Sequence, residues 1–293
     1  MLLSTQTHVL ASKYGSQKAV RMLAEAGFDC YDISLFDLIR DPNYEFCQEN
    51  WRETAHALRS VADEAGILCN QGHAPFPSST GDPEKDARLF DAIIRSMEVA
   101  SILGAKVIIV HPKMHMYYPG NAHTLKEMNT EFYRSLIPYC EKFNIKVATE
   151  NMWQYARGSQ TIMDSVCASP EEFCDYIDSI GSPWITGCLD VGHTVLVHRD
   201  LPDMIRALGH DRLLALHVHD NDGTADNHAM PYQRSMDFPA MLQALADIDY
   251  QGEFTFEADC CYKRLPEELI PSCAKFLHDT GRAMIHEIEK AKK

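Results

Sequence analysis

The chain has 293 residues, 45% of them hydrophobic and 24% charged, which excludes a disordered or fibrous protein and fits one large α/β domain over residues 1–293. A formal net charge of −15, with no Lys/Arg run longer than the terminal Lys290-Ala-Lys-Lys293, disfavours nucleic acid as a partner. The first residues, Met-Leu-Leu-Ser-Thr-Gln-Thr-His, are neither basic nor continuously apolar; no segment nears the ~18 apolar residues of a membrane span; and the ten scattered cysteines have no zinc-clip spacing, so reduced thiols in a cytoplasmic protein are expected.

In chain order, the apolar run Thr7 to Ser12 reads as the first strand, and Ser16 to Ala26 as an amphipathic helix stopped by Gly27. Asp29 to Leu35 is the second strand, Asn50 to Ala65 the next helix, and Ile67 to His73 the third strand, followed by a loop that Ala74-Pro-Phe-Pro keeps irregular. Asp82-Pro83 opens a helix with a capping residue and a proline in its first turn, running to Leu103. Lys106 to Pro112 is the fourth strand, Thr124 to Phe143 a long helix, and Lys146 to Asn151 the fifth strand. Ser169-Pro-Glu-Glu starts a helix ending near Gly181, Trp184 to Val191 is the sixth strand, and Leu201 to Leu208 a helix. Leu213 to His219 is the seventh strand, Asp237 to Ala246 a helix, Glu253 to Ala258 the eighth strand, and Pro266 to about Lys290 the closing helix.

Eight strands thus alternate with eight helices, and parallel strands require such crossovers. No glycine-rich phosphate turn follows the first strand, so the pattern predicts a closed (β/α)8 TIM barrel rather than an open doubly wound sheet. Every strand of such a barrel ends at one mouth. Here six of the apolar segments finish on His73, His111, Glu150, Asp190 (with His193 three residues on), His217 (with His219) and Glu257.

Glu150, Asp190, His217 and Glu257 offer three carboxylates and an imidazole, a set suited to one divalent ion such as Mn2+, Mg2+, Co2+ or Zn2+. A cation would also relieve the mutual repulsion of packed carboxylates. The alternative, four unrelated rim salt bridges, requires a separate partner for each. His217 and His219 are two apart and share a strand side, so either can be the ligand. His193 in the turn after Asp190, and the Asp226-Asn-His228 loop, can face the same cavity as substrate contacts or further ligands. Trp153, Tyr155 and Arg157 can line the mouth by stacking and hydrogen bonding, as can Lys113 after His-Pro, although loop packing explains each equally well. No nucleophile elbow, P-loop or redox cysteine pair is present.

Taken together, Gly72-His-Ala-Pro-Phe76, Val110-His-Pro112, Thr149-Glu-Asn151, Cys188-Leu-Asp-Val-Gly-His193, His217-Val-His-Asp-Asn-Asp222 and Phe256-Glu257 resemble the xylose isomerase-like barrel superfamily over nearly the whole chain. That superfamily includes sugar phosphate isomerases and epimerases, ketose 3-epimerases, inositol-pathway isomerases and endonuclease IV. The resemblance implies a mononuclear metal at Glu150, Asp190, a strand-seven histidine that aligns best with His217, and Glu257. It also implies that the further zinc ligands of the trinuclear nuclease have matches in His73, His111, His193, Asp226 and His228. The implied activity is a divalent-metal-dependent isomerase or epimerase acting on a sugar, sugar phosphate or inosose through an enediolate, with Glu150 and Glu257 exchanging the proton. Alternatives are a phosphoesterase or other hydrolase with two to three zinc ions, a lyase on oxidised sugars, and a non-catalytic barrel. By analogy, the partners are a small carbohydrate and further copies of the chain in a homodimer or homotetramer. Two segments depart from the family patterns: Met152-Trp-Gln-Tyr155, where the nuclease has a small-residue loop, and Ala229-Met-Pro-Tyr-Gln-Arg234, where the sugar enzymes have a Pro-Gly-x-Gly turn.

Overall fold

The computed structural model describes residues 1–292. Among them, β1 (Leu3–Gln6), β2 (Cys30–Ser34), β3 (Leu68–His73), β4 (Val107–Ile109) and β5 (Lys146–Glu150) pair in parallel, each with the next. Two short strands, β6 (Trp153–Tyr155) and β7 (Ile162–Asp164), form a separate antiparallel hairpin. The parallel series then continues with β8 (Ile185–Asp190), β9 (Leu213–His217) and β10 (Phe254–Phe256). β10 returns to β1 with Leu3 opposite Phe254. The ring closes where Val218 N donates to Thr255 O at 2.9 Å and Glu257 N donates to Val218 O at 3.0 Å. The result is the (β/α)8 barrel that the strand spacing predicts.

Helices α1 (His8–Tyr14), α2 (Ser16–Ala26), α3 (Trp51–Ala65), α4 (Pro83–Leu103), α5 (Ala122–Phe143), α6 (Pro170–Ile180), α7 (Val191–Leu196), α8 (Leu201–Arg212), α9 (Phe238–Asp247) and α10 (Ile270–Ala291) make up the crossovers. Their ends follow local chemistry. Asp82 accepts from Glu84 N and Lys85 N at the start of α4, Ser169 accepts from Glu172 N at the start of α6, and Asp237 accepts from Ala240 N at the start of α9. Each such cap contributes about 1 kcal/mol. Gly104 at φ 97° ends α4 in the left-handed conformation that a side chain would resist.

The main core lies between sheet and helices. A smaller apolar cluster of Val107, Ile109, Ala148, Cys188 and Ala215, from β4, β5, β8 and β9, fills one half of the barrel interior. The other half is polar. Ser4, Asp32, Asn70, Gln71 and Thr255, from β1, β2, β3 and β10, are buried there and linked by side-chain hydrogen bonds.

That polar half accounts for one correction. The first strand is Leu3–Gln6, and the Thr7–Ser12 run lies mostly in α1. β1 lacks an apolar signature because its inward Ser4 joins the polar network and its inward Gln6 donates to Glu257 at the mouth, while Val9 and Leu10 are apolar because α1 packs on the core. The hairpin β6–β7 and helix α7, both within reach of the mouth, lie where loop and turn were expected. The closing helix starts at Ile270 rather than Pro266, after a 3-10 turn at Glu267–Leu269. All ten cysteines are free. No helix among the described residues is long and apolar enough to cross a membrane.

Candidate metal centre

Each parallel strand delivers its last residues to the same end of the barrel, and this brings together groups far apart in sequence. Glu150, Asp190, His217 and Glu257 are all buried, and each offers a ligand atom within 4.8 Å of the others. His217 Nδ1 lies 3.0 Å from Glu150 Oε1 and 3.2 Å from Glu257 Oε2. Gln6 donates to Glu257 Oε1 at 2.8 Å, fixing the carboxylate from below.

Four more groups adjoin this tetrad among the described residues. Two share His217 with it, Asp32–His73–His217 beneath and Glu150–Cys188–His217 beside it. His73, His111 and Glu150 form a third, with His111 Nε2 3.0 Å from Glu150 Oε2 and 3.2 Å from His73 Nε2. His219, Asp226 and His228 form the fourth, the His219 and His228 rings stacked with centroids 4.4 Å apart. His219 therefore belongs to a different group from His217. Its Nε2 sits 3.0 Å from Asp190 Oδ1, the contact that links the two groups.

Local structure sets these orientations. Asp190 caps α7 by accepting from His193 N at 2.7 Å, which aims its carboxylate across the mouth. One turn on, His193 Nδ1 meets the Asn151 carbonyl at 2.8 Å, and His228 Nδ1 meets the Glu257 carbonyl at 3.0 Å. A carbonyl only accepts, so both rings carry a proton on Nδ1 and turn Nε2 toward Asp226 Oδ2, at 3.3 and 3.2 Å. Gly192 lets the chain pass: a Cβ there would lie 2.1 Å from His219 Cε1 and 2.7 Å from Asn221 Nδ2.

The donor set fits a cation. Asp226 Oδ1 is buried without a hydrogen-bond partner, and so is Glu150 Oε2, which faces the His111 ring at 3.0 Å and the His73 ring at 3.9 Å, off hydrogen-bonding alignment. Leaving such atoms unsatisfied costs about 1–3 kcal/mol each. Protons on imidazoles now balance the acids. Burial opposes charge on His193, yet Asp190 and Asp226 outweigh it and raise the ring to about 10. Burial likewise opposes charge on His217 and His228; Cys188, then Glu257 and Glu150, push His217 well above the usual histidine value, and Glu257 and Asp226 do the same for His228. Burial would raise Glu150, but the imidazoles of His217 and His111 hold it well below the usual carboxylate range. In Glu257 burial prevails over His217 and His228 and the carboxyl is raised. A cation entering this site must displace imidazole protons, so its apparent affinity is expected to rise with pH through neutrality. Calorimetric titration with Zn2+ in two buffers of different ionisation enthalpy should show net proton release, and equal heats in both would contradict it.

A cavity of about 360 Å3 opens above these groups, within the range for small-molecule sites. Its floor includes His73, His111, Glu150, His193, Asp226, His228 and Glu257, and its wall is largely apolar, built from Phe36, Phe76, Met114, Met152 and Trp153 with Tyr155 at the edge. Trp153 and Tyr155 reach it because β6 carries them there. Arg157 does not line it: the residue lies at the hairpin tip, stacked 4.4 Å over Tyr117. Lys113 does not line it either. Asn129 grips its backbone, and its ammonium lies 4.9 Å over Phe132. Arg40 is the one Lys or Arg among the described lining residues; it lies 5.1 Å over the Phe36 ring, and nothing in its local sequence marks it.

A model of the xylose isomerase-like TIM barrel family matches residues 20–279. D-psicose 3-epimerase of Enterocloster bolteae is 25% identical over 258 residues, covering 82% of this chain and 76% of that protein. A probable endonuclease 4 of Mesomycoplasma hyopneumoniae strain 7448 is 25% identical over 191 residues, 62% of each chain. The apo crystal structure of 3-keto-D-glucoside 4-epimerase from E. coli superposes with a TM-score of 0.74 at 18% identity, over 97% of this chain and 99% of that one, a likeness of fold. With the family pattern matched from α2 to the middle of α10, the chain belongs to the xylose isomerase-like TIM barrel family.

Proposed function

We propose that this protein is a divalent-metal-dependent isomerase or epimerase of a small carbohydrate. The observation that carries the reading is the buried tetrad Glu150, Asp190, His217 and Glu257 at the base of an open cavity. The sugar epimerases among its sequence and structural neighbours support the same class.

The tetrad would hold the ion. When bound, a divalent cation supplies Lewis acidity, polarising a carbonyl and its neighbouring hydroxyl by several kcal/mol. Glu150 and Glu257 enter from β5 and the end of β10, either side of His217, and act as general base and acid on the carbon-bound proton. Two carboxylates working on opposite substrate faces give epimerisation; one working on a single face gives aldose–ketose isomerisation. The same abstraction starts a lyase reaction on an oxidised sugar, which differs only in what leaves. The apolar wall excludes water from the enediolate, and Trp153 offers a ring face to the sugar.

A second reading, a multinuclear zinc hydrolase, is favoured by the two flanking groups His73–His111–Glu150 and His219–Asp226–His228, with His193 beside the latter. Elemental analysis of the purified protein separates the two: about one metal per chain accords with the isomerase, two or three with the hydrolase. The isomerase reading expects chelator-sensitive exchange of a carbon-bound proton with deuterated water for at least one member of a panel of ketoses and inosose-like ketones. No exchange with any of them would count against it.

A further inference from the structure

The polar half of the barrel interior is unusual, because barrel interiors are mostly filled by branched apolar side chains. Its hydrogen bonds run in one direction. Ser4 Oγ donates to Asn70 Oδ1 at 2.6 Å, and Asn70 Nδ2 donates to Thr255 Oγ1 at 3.1 Å. Thr255 Oγ1 donates to Gln71 Oε1 at 3.2 Å, and Gln71 Nε2 donates to Asp32 Oδ2 at 2.9 Å. The Thr255 hydroxyl fixes which way the Gln71 amide faces, so the series ends on a carboxylate that can only accept. Asp32 is fully buried, and its Oδ1 has no partner.

His217 stands above Asp32. Its Nδ1 faces Glu150 and Glu257, while its Nε2 lies 3.5 Å from Asp32 Oδ2 and has no hydrogen-bond partner of its own. That separation is slightly longer than a hydrogen bond, and a small ring rotation closes it. The Cys188 thiol also neighbours His217, but burial pushes it up to about 12, which leaves it neutral and a weak acceptor beside a carboxylate.

An imidazole that ligates through one nitrogen must keep its proton on the other, and the group facing that other nitrogen decides which tautomer exists. We propose that Asp32 is a positioning residue: reaching up from β2 inside the barrel, it holds the proton of His217 on Nε2 and so leaves Nδ1 bare and aimed between Glu150 and Glu257 for a divalent cation. This rests on the proposed metal tetrad and adds to it a member that sits beneath the site and touches neither substrate nor ion. Gln71 and Thr255 keep Asp32 facing the ring.

The test uses Zn2+ alone as probe, with no substrate. Asp32→Asn removes the charge at constant shape and offers an amide N–H to Nε2, which favours the opposite tautomer. The expected result is zinc affinity 10- to 100-fold weaker. In 15N-histidine spectra recorded at a pH high enough for the ring to be neutral, the resonance missing from a His217→Gln variant should shift toward a protonated Nδ1 in the Asp32→Asn protein. Affinity and spectrum both unchanged, even with lower thermal stability, would show a merely structural Asp32 and overturn the proposal. Should Asp32→Asn not fold, the zinc-loaded wild-type spectrum decides: a protonated Nε2 with Nδ1 on the metal supports the proposal, and the reverse overturns it. A wild-type chain that takes up zinc normally while Asp32→Asn behaves identically refutes only this inference; one that takes up no zinc refutes the tetrad as well.

Discussion

Glu257→Gln and Glu150→Gln are each expected to lower metal-dependent exchange of a substrate carbon-bound proton by roughly 10²–10⁴-fold, the usual contribution of a positioned general acid or base. The substitution is nearly isosteric. At position 257 the new carbonyl still accepts the Gln6 amide that now donates at 2.8 Å, so the barrel end is held and the loss is chemical. At position 150 the amide faces His217 Nδ1 at 3.0 Å and His111 Nε2 at 3.0 Å with no charge to offer either. Rates are to be compared at saturating metal, so that weaker ligation is not mistaken for a slower proton transfer. A Glu257→Gln protein as active as the wild type would point to a barrel whose acids are idle.

The second large effect concerns stability. Stripping the cation with a chelator is expected to lower the melting temperature by several degrees, and restoring Mn2+, Co2+ or Zn2+ to reverse the loss. A ligand that binds only the folded chain stabilises it by about 4 kcal/mol at a thousandfold excess over Kd, and in a chain of this size each kcal/mol corresponds to about 2–4 °C. The reason lies in the site: Glu150, Asp190 and Glu257 are held within 4.8 Å of one another and buried, an arrangement the unfolded chain does not have. A melting temperature indifferent to both chelator and metal would contradict the account.

The barrel and its acidic mouth were legible because both follow from short-range rules. A strand covered on both faces is a continuous apolar run, and the run stops where the strand meets the mouth, so Val107 to Ile109 followed by His111, or Val147 to Glu150, marks both strand and end. Capping residues with a following proline marked α4 and α6 for equally local reasons. β1 was missed because its inward side chains hydrogen-bond rather than pack. The hairpin β6–β7 was missed because its residues are only half-buried and carry no alternation strong enough to separate from loop.

Site residues away from strand ends were the least legible. Asp32 lies within a strand whose Cys-Tyr-Asp-Ile-Ser pattern gives no sign that its carboxylate meets His217, a contact made only by closing the barrel. Phe36, Met114 and Met152 read as ordinary loop or core residues until the mouth assembles around them. Lys113 and Arg157 show the converse: each is near a strand end in sequence, yet Asn129 ties down one and the hairpin tip carries the other to Tyr117. Spacing alone left His217 and His219 open, and only the family resemblance favoured His217. In the structure His217 ends β9 beside Glu150, while His219, two residues beyond the strand, sits beside Asp190 and Asp226.

The most direct measurement is anomalous diffraction from crystals grown with Zn2+ or Mn2+, collected above and below the metal edge. A peak bounded by Glu150, Asp190, His217 Nδ1 and Glu257, at ligand distances of about 2.0–2.2 Å, is the predicted result. Crystals in which the four side chains keep their places and no peak lies among them would contradict it.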